Sequence, residues 1–357
     1  MITASHNPAE YNGFKVFDSN GEALDDEAEL HNGKGGKETD HQHRPRGHVE
    51  IAHTREYEDR LSKLSFTHQW KVVLDPGNGA ACLLAPRVYT NVLSHVTVIN
   101  SVPDGAFPAR GSEPTQESMK MLGRAVLETG ADAGIGFDGD GDRMFMVDEK
   151  GACPLQDRVL GFYISYLAQH SKGPFLVPLD ASMAIDTVAE KSGATVVRGP
   201  VGDAKLLREM RKMRGTFAGE PSGAWIHPEF NPCPDGVLSG LLFLRAVEET
   251  YGTVSKTLIE VPQYHMLRRS LRLNRGISKQ ALTLIAEQLR KVIGQGSEIA
   301  VKFGLRISSQ DSWVLVRQSG TEPVVRVTCE AKRNENAERI MRETVRAVRR
   351  ALKGRNQ

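Results

Sequence analysis

The chain has 357 residues, which corresponds to about two to three domains of ordinary size. Hydrophobic residues make up 39% of it and charged residues 25%, as in soluble globular proteins, and the mean hydropathy is −0.36. The net charge of +2 provides no overall attraction to nucleic acid or to a membrane surface. The first residues lack the basic start and apolar core of a signal peptide, so we expect a cytoplasmic protein without nucleic-acid or membrane partners.

Two features of composition predict local structure. The cysteines Cys82, Cys153, Cys233 and Cys329 are too widely separated for a zinc site or a disulfide framework, so we expect small apolar core residues. Residues 31–48 contain almost no apolar side chains, and their histidines do not match the spacing of a zinc site. This composition predicts a flexible polar excursion.

The first predicted unit alternates strands with helices. Strands are expected at 70–74, 96–100 and 131–137, and helices from the turn at 75–79 to about residue 93 and over 115–129. A β-α-β-α-β order of this kind predicts a mostly parallel sheet covered by helices.

A second unit repeats the pattern. Strands are expected at 175–179 and 195–198, with helices from a cap at Ser182 through residue 191, over 203–213, and over 235–251. A glycine-rich loop follows the segment 215–219. Two successive α/β units, each of about 100 residues, are therefore predicted.

The C-terminal part has a different pattern. Strands are expected at 267–273, 312–317 and 324–330, and helices at 278–293 and 336–352, which together predict a small α+β domain. The last helix carries Ile340, Val345 and Val348 on one side and many arginines on the other. Because no aromatic residues interleave the arginines, we interpret that side as a solvated surface.

Three alternating carboxylates follow the third predicted strand, in the string Asp138-Gly139-Asp140-Gly141-Asp142-Arg143. Ligands of open α/β sheets bind at the carboxyl ends of their strands. The intervening glycines allow the three carboxylates to face one hard cation, and Mg²⁺ suits an oxygen-only site that a substrate phosphate completes. The string therefore predicts a magnesium site.

Two other interpretations of the carboxylate string remain open. An EF-hand would place Glu149 at the twelfth position of its loop, but Arg143 stands where that loop needs glycine, and the flanks are predicted strands. An aspartyl-phosphate phosphotransferase would use a carboxylate at a strand end as its nucleophile.

Three further loops carry groups suited to sugar phosphates. Ser5, in TASHNP, has a hydroxyl that can carry a phosphoryl group, and Lys15 follows ten residues later as an acid/base candidate. Glu220 and Ser222, in GEPSG, can bind adjacent sugar hydroxyls. Arg317, in RQSGTEP, has a forked donor suited to phosphate oxygens. Each loop by itself is equally typical of an ordinary turn.

As a set, TASHNP, DGDGDR, GEPSG and RQSGTEP resemble the four motifs of the α-D-phosphohexomutases, in the same order and over the whole chain. The resemblance implies the family's multi-domain α/β architecture, with mixed parallel sheets, a C-terminal α+β domain and a central cleft. We expect domain boundaries at 1–62 for the serine loop, 63–165 for the metal loop, 166–262 for the sugar loop and 263–357 for the phosphate loop.

The same resemblance implies a role for each motif. Ser5 is the phosphoserine, Lys15 and Arg143 lie near the transferring group, and Mg²⁺ is held beside Ser5 by Asp138, Asp140 and Asp142. The implied substrate-binding residues are Lys205, Glu220, Ser222, Arg317, Ser319, Gly320, Thr321 and Arg326. The implied reaction interconverts hexose 1-phosphate and 6-phosphate through a bound hexose 1,6-bisphosphate, which also serves as activator.

Two departures from the family pattern qualify these expectations. Ala224 stands where many members have a histidine after the sugar loop, so no proton-transfer role is expected there. Ser5 lies only four residues after Met1, and we therefore expect an incomplete first domain that exposes Ile2, Phe14, Val16 and Phe17.

The form of the sugar loop bears on the substrate. Its Glu-Pro-Ser-Gly string resembles that of the phosphoglucosamine and phosphomannose/phosphoglucose types within the family, and we expect glucosamine phosphate. The phosphomannose/phosphoglucose type is the alternative. A sugar-phosphate-binding chain with impaired catalysis is the third class of function left open.

Overall fold

Four β-sheets follow one another along the chain in the computed structural model, which describes residues 1–24, 54–272, 277–294, 297–319 and 323–353. We number the sheets one to four in chain order. The polar excursion predicted at 31–48 lies outside the described residues, as do Gly320 and Thr321. The multi-domain α/β architecture with a C-terminal α+β part, which the family resemblance implied, is confirmed.

The first sheet is an antiparallel ribbon of β1 (Val16–Phe17) and β2 (Ala23–Leu24). An isolated bridge between Ile2 and Phe14 joins the serine loop to it. Ile2, Phe14 and Val16 are exposed as expected, whereas Phe17 is half-buried. A helix that was not predicted, α1 (Arg55–Leu61), follows.

The second sheet has the order β4-β3-β5-β6. Its strands are β3 (Lys71–Asp75), β4 (His95–Val98), β5 (Ala133–Phe137) and β6 (Met144–Asp148), and its helices are α2 (Ala81–Val92) and α3 (Lys120–Thr129). The first three strands are parallel, as predicted, and β6 is antiparallel to β5. Helix α3 begins at Lys120, later than predicted, and in the turn before it the hydroxyls of Thr115 and Ser118 accept each other's backbone N–H groups.

The third sheet has the order β10-β9-β7-β8. Its elements are α4 (Gln156–Leu167), β7 (Phe175–Pro178), α5 (Ala184–Lys191), β8 (Val196–Gly199), α6 (Asp203–Lys212), β9 (Phe217–Gly219), β10 (Trp225–Ile226) and α7 (Gly236–Thr250). Strands β8, β7 and β9 are parallel. Ser182 does not cap α5, because Met183 occupies that position, but its hydroxyl accepts the N–H of Ala184 at 3.0 Å.

The second and third sheets share one hydrophobic core. Helices α4 and α7 lie between them, and the rings of Phe162 and Phe243 meet edge to face at 5.6 Å. Burial of large aromatic side chains is among the strongest contributions to such a core. The metal loop and the sugar loop are thus attached to one continuous core.

The fourth sheet is antiparallel throughout, with the order β11-β15-β14-β13-β12. It is reached through α8 (Val254–Thr257) and a 3-10 turn (Leu258–Glu260). Its elements are β11 (His265–Arg272), α9 (Lys279–Ile293), β12 (Glu298–Ala300), β13 (Leu305–Ser308), β14 (Ser312–Gln318), β15 (Val324–Ala331) and α10 (Asn334–Lys353). Helices α9 and α10 cover one face with residues such as Leu289 and Ile340.

Two expectations from composition can be compared with this fold. The arginines of α10 are exposed, as expected: Arg339, Arg342, Arg346, Arg349 and Arg350. Of the four free cysteines, Cys82 and Cys329 are buried, whereas Cys153 and Cys233 are half-buried. Within the described residues, no helix is long and apolar enough to cross a bilayer.

Candidate active site

Ser5 is held in a strained loop against the carboxyl end of β5. Its φ of 53° lies in the left-handed region, which a residue with a side chain adopts at a cost. The backbone N–H of Ser5 donates to Thr3 Oγ1 at 2.8 Å, and Ser5 Oγ donates to Asp138 Oδ2 at 3.0 Å. A Cβ at Gly139 would lie 2.4 Å from the Ser5 carbonyl oxygen, so this close approach requires glycine.

A buried ion pair joins the ends of β3 and β5, next to the serine loop. Arg110 Nε donates to Asp75 Oδ2 at 2.9 Å, and Arg110 Nη2 donates to the Phe137 carbonyl at 2.6 Å. The guanidinium therefore joins the end of β3 to the end of β5, directly before Asp138. Sequence analysis did not identify this pair; the carboxylate at the end of a buried strand was its only signal.

The three predicted carboxylates converge. One oxygen each of Asp138, Asp140 and Asp142 lies within 4.8 Å of the others. Asp138 Oδ1 accepts the backbone N–H groups of Gly141 at 3.0 Å and Arg143 at 3.2 Å. The tight turn through the glycines thus brings the carboxylates together beside Ser5.

Two cations accompany the carboxylates. Lys15 Nζ lies 2.9 Å from Asp140 Oδ2 and 2.5 Å from Asp142 Oδ2. Arg143 Nε lies 3.8 Å from Asp138 Oδ2 and 3.9 Å from Asp142 Oδ1. The structure therefore places Ser5, Lys15, Arg143 and the three aspartates in one cluster, although these residues come from separate segments of the chain.

Burial and charge together determine the pKa values in this cluster. Burial, reinforced by Asp142 and Asp140, raises the pKa of Asp138, and burial with Asp140 raises that of Asp142. Burial opposes ionisation of Asp140 too, but Lys15 and the hydrogen bond from Thr3 Oγ1 act together against it, and the pKa of that carboxyl is lowered. Burial also acts against the charge of Lys15, yet Asp142 and Asp140 raise its pKa above the ordinary value.

The cluster fits Mg²⁺. Asp140 Oδ1 and Asp142 Oδ1 are buried and accept no hydrogen bond from the described residues, so each oxygen has a free lone pair for a cation. All candidate ligands are oxygens, which Mg²⁺ prefers. The EF-hand alternative is wrong, because Glu149 accepts the N–H of Ser255 at 3.1 Å instead of joining the carboxylates.

A cavity of about 720 Å³ is lined by residues from the units of the second, third and fourth sheets, and Phe145 of β6 is among them. Glu220 and Ser222 line it from the third sheet, and Arg317 and Arg326 from the fourth. The two arginines are directly opposite each other on β14 and β15, so both are on the same face of the sheet. A size of several hundred cubic ångströms is typical of a small-molecule site.

Both carboxylate oxygens of Glu220, in the sugar loop, accept hydrogen bonds. Glu220 Oε1 accepts the N–H of Gly202 at 2.7 Å, and Glu220 Oε2 accepts from Ser222 Oγ at 3.1 Å. Burial raises the pKa of Glu220. The loop also contacts the metal loop, since Ala224 forms a bridge with Arg143 and the N–H of Met144 donates to the Gly223 carbonyl at 3.2 Å.

Other predicted residues have less direct positions. Lys205 is exposed on α6 and does not line the cavity, whereas Val201, two residues before that helix, does. Ser319 is buried after β14, and its N–H donates to the Val324 carbonyl at 2.9 Å. His227, the first histidine after Ala224, is buried and does not line the cavity.

Several charged residues of the cavity were not predicted. Asp157, Asp180 and Arg268 line it. Burial raises the pKa of Asp157 to about 6, although the N–H of Ser182 donates to this carboxyl at 2.7 Å. Alternation along β11 and the strand end before Asp180 were the available signals, but neither shows which residues face a cavity.

Comparisons with known proteins agree with one another. Sequence profiles described as phosphoglucomutase/phosphomannomutase match the chain with alpha/beta/alpha domain I at residues 1–31, domain II at 52–151, domain III at 156–264 and the C-terminal domain at 274–347. A relative from Pyrococcus abyssi, named probable phosphoglucosamine mutase, is 37% identical over 358 residues, with 99% of this chain and 79% of the relative covered.

Solved structures show the same relationship. A phosphoglucomutase/phosphomannomutase family protein of Burkholderia thailandensis matches with a TM-score of 0.82 and 25% identity, over 99% of this chain and 76% of that one. N-acetylphosphoglucosamine mutase of Aspergillus fumigatus, solved with GlcNAc-6P and magnesium, matches with a TM-score of 0.70 and 15% identity, over 98% and 88% of the two chains. The second likeness concerns the fold alone.

Proposed function

We propose that this chain, which belongs to the phosphoglucomutase/phosphomannomutase family and is a phosphohexomutase, interconverts glucosamine 6-phosphate and glucosamine 1-phosphate through a phosphoserine at Ser5. The observation that carries the proposal is the hydrogen bond of 3.0 Å from Ser5 Oγ to Asp138, inside the cluster of three carboxylates. A hydroxyl in that position can carry a phosphoryl group whose charge a bound cation offsets.

The transfer step uses residues of the serine and metal loops. The bond between phosphorus and Ser5 Oγ breaks as a bond forms from phosphorus to a sugar hydroxyl oxygen, and the hydroxyl proton ends on Ser5 Oγ. Mg²⁺, held by Asp138, Asp140 and Asp142 with the phosphate on Ser5, would offset charge on the transferring oxygens. Lys15 is protonated at neutral pH and Asp142 and Asp140 raise its pKa further, so it is suited to neutralise that charge.

The cavity supplies the second half of the reaction. Arg317 and Arg326 present guanidinium groups to the phosphate that is not reacting, and Glu220 with Ser222 binds sugar hydroxyls. The proposal also includes substrate binding by four further residues: Lys205, Ser319, Gly320 and Thr321. The first transfer forms a hexose 1,6-bisphosphate. This intermediate reorients in the cavity and returns its other phosphate to Ser5.

Glucosamine phosphate is the proposed substrate for two reasons. The curated relatives that cover the chain are named probable phosphoglucosamine mutases. Asp180 also lines the cavity, and within the described residues no donor bonds to its carboxylate, whereas Glu220 and Asp157 both accept N–H groups. A carboxylate of this kind attracts the ammonium group at position 2 of glucosamine. Mannose and glucose phosphates are the alternative substrates, and we propose a cytoplasmic location.

The direct test locates the phosphate. The wild-type protein, Ser5→Ala and the matched control Ser19→Ala are incubated with Mg²⁺, hexose 1,6-bisphosphate as activator and glucosamine 6-phosphate. Ser19 is an exposed serine near the same loop. Phosphorus NMR follows the 1-phosphate, and mass spectrometry locates protein-bound phosphate. We expect turnover and phosphorylated Ser5 in the wild type and in Ser19→Ala only. Phosphate on Asp138 would establish the aspartyl-phosphate mechanism, and binding without turnover in the wild type would establish a sugar-phosphate-binding protein.

A further inference from the structure

Glu330 connects the third and fourth sheets through one buried carboxylate. Its residue is 1% exposed and lies on β15 of the fourth sheet. Glu330 Oε1 accepts from Ser182 Oγ at 2.6 Å, and Oε2 accepts from the N–H of Met183 at 2.7 Å, both in the turn before α5 of the third sheet. Glu330 Oε2 also accepts from Trp313 Nε1, on β14, at 2.7 Å.

A buried cation forms a second connection between the same sheets. Arg306, on β13, lies with its guanidinium 4.0 Å from the centre of the Trp313 ring and donates to the carbonyl of Leu179, which directly follows β7 of the third sheet. Leu179, Met183, Trp313 and Leu315 form an apolar cluster around these contacts. Polar groups buried in such surroundings are retained only where their hydrogen bonds are made.

The face of the fourth sheet that carries these contacts continues into the cavity. Alternate residues of a strand point to one face, so Glu330 shares its face with Thr328 and Arg326. On β14 the same face carries Trp313, opposite Glu330, and Arg317, opposite Arg326. Glu330 is four residues from Arg326, a separation of roughly 13 Å along a strand, and it does not line the cavity.

We infer that Glu330 is a positioning residue, which holds the fourth sheet against the third so that Arg317 and Arg326 face Glu220 and Ser222. The inference rests on the proposed function, because it assigns Arg317 and Arg326 to the phosphate of the substrate. Glu330 touches no substrate and acts through the arginines. In Glu330→Gln a single amide oxygen remains as acceptor for the three donors, which loosens the attachment at this end of the sheet face. At the other end Lys302 Nζ, in the turn between β12 and β13, still contacts Glu209 Oε2 of α6 at 2.7 Å.

The test compares Glu330→Gln with Glu298→Gln, which changes an exposed glutamate on the edge strand of the same sheet. We expect Glu330→Gln to raise the KM for glucosamine 6-phosphate by about tenfold and to change kcat by less than about threefold, with Glu298→Gln at wild-type values. Ser182→Ala removes one of the three donors and should raise KM by a smaller factor, and it serves as the test variant if Glu330→Gln does not fold.

A double-mutant cycle separates positioning from general destabilisation. In an Arg317→Ala background, Glu330→Gln should raise KM by a clearly smaller factor than in the wild type, since one of the two arginines through which it acts is already absent. Additive effects, a fall in kcat with unchanged KM, or no effect of either variant would overturn the inference. If the wild type shows no turnover, the proposed function fails, and the same cycle measured as Kd for glucosamine 6-phosphate decides the positioning role separately. A wild type that neither turns over nor binds this sugar phosphate overturns both.

Discussion

His227 should make the stability of this protein depend on pH in the weakly acidic range. The histidine is buried against Tyr163 and Phe217, with ring centres 5.7 and 5.2 Å away, and its Nε2 lies 3.1 Å from Ser239 Oγ. Burial lowers the pKa of His227 to about 3. The imidazole is therefore neutral in the folded protein at neutral and weakly acidic pH.

The direction and size of the effect follow from proton linkage. The pKa of this group is about 3 in the folded state and 6.5 in the unfolded chain, so the unfolded chain binds more protons between these values. The stabilisation is complete above the unfolded pKa and is lost as the pH falls towards the folded pKa. At pH 5 the expected loss in free energy of unfolding is about 2 kcal/mol, and it depends little on the folded pKa because that lies well below pH 5.

Urea unfolding at about pH 7.5 and about pH 5 tests this. Trp225 stacks on Tyr163 at 4.8 Å, next to the histidine, so tryptophan fluorescence reports on the same region. In His227→Gln the difference in unfolding free energy between the two pH values should be smaller than in the wild type by about 2 kcal/mol. The matched control Ser239→Ala keeps the histidine and should keep the full pH difference. A wild-type pH difference in His227→Gln would refute the reasoning.

Three further expectations concern the site. Asp140→Asn should lower turnover at least about 10²-fold and weaken Mg²⁺ binding measured by calorimetry, since it removes one of three ligands for the charge-offsetting cation; unchanged Mg²⁺ affinity would contradict this. Arg317→Lys keeps the charge but loses the fork, so KM should rise more than kcat falls, equally for the 1- and 6-phosphates; impairment with one isomer alone would contradict a shared anchor. Asp180→Asn should lower kcat/KM for glucosamine 6-phosphate about tenfold relative to kcat/KM for glucose 6-phosphate, which corresponds to about 1.4 kcal/mol. An unchanged ratio of the two kcat/KM values would show that Asp180 does not select the amine.

Elements with a clear hydrophobic period were predictable from the sequence. The last helix was expected at 336–352 and is Asn334–Lys353, because its apolar side chains recur at helical spacing. Helix α4 was not predicted, since its segment from Val159 to Ile164 is buried at every position. A helix that is apolar all round has no amphipathic period to detect.

The members of the site were identified one motif at a time, but their contacts were not. Ser5 and Asp138 are 133 residues apart, and Lys15 is 127 residues from Asp142. Such pairs meet because the serine loop folds onto the end of β5, and no spacing in the sequence encodes that. The family resemblance bridged this gap for the motif residues, whereas Arg110 and Asp180 belong to none of the four motifs and were missed.

Buried polar residues at the junction of sheets show where strand periodicity stops being informative. Alternation on β15 correctly separates Val325, Val327 and Cys329, which face the helices, from Arg326 and Glu330 on the other side. A polar residue on that second side is ordinarily solvent-exposed. Arg326 lines the cavity and Glu330 is covered by the turn before α5, so the same pattern leads to a ligand site at one end and a buried junction at the other. Whether a residue on this side of β15 lines a cavity or is buried depends on which part of the third sheet's unit lies against it. For that reason the role of Glu330 could be assigned only from the structure.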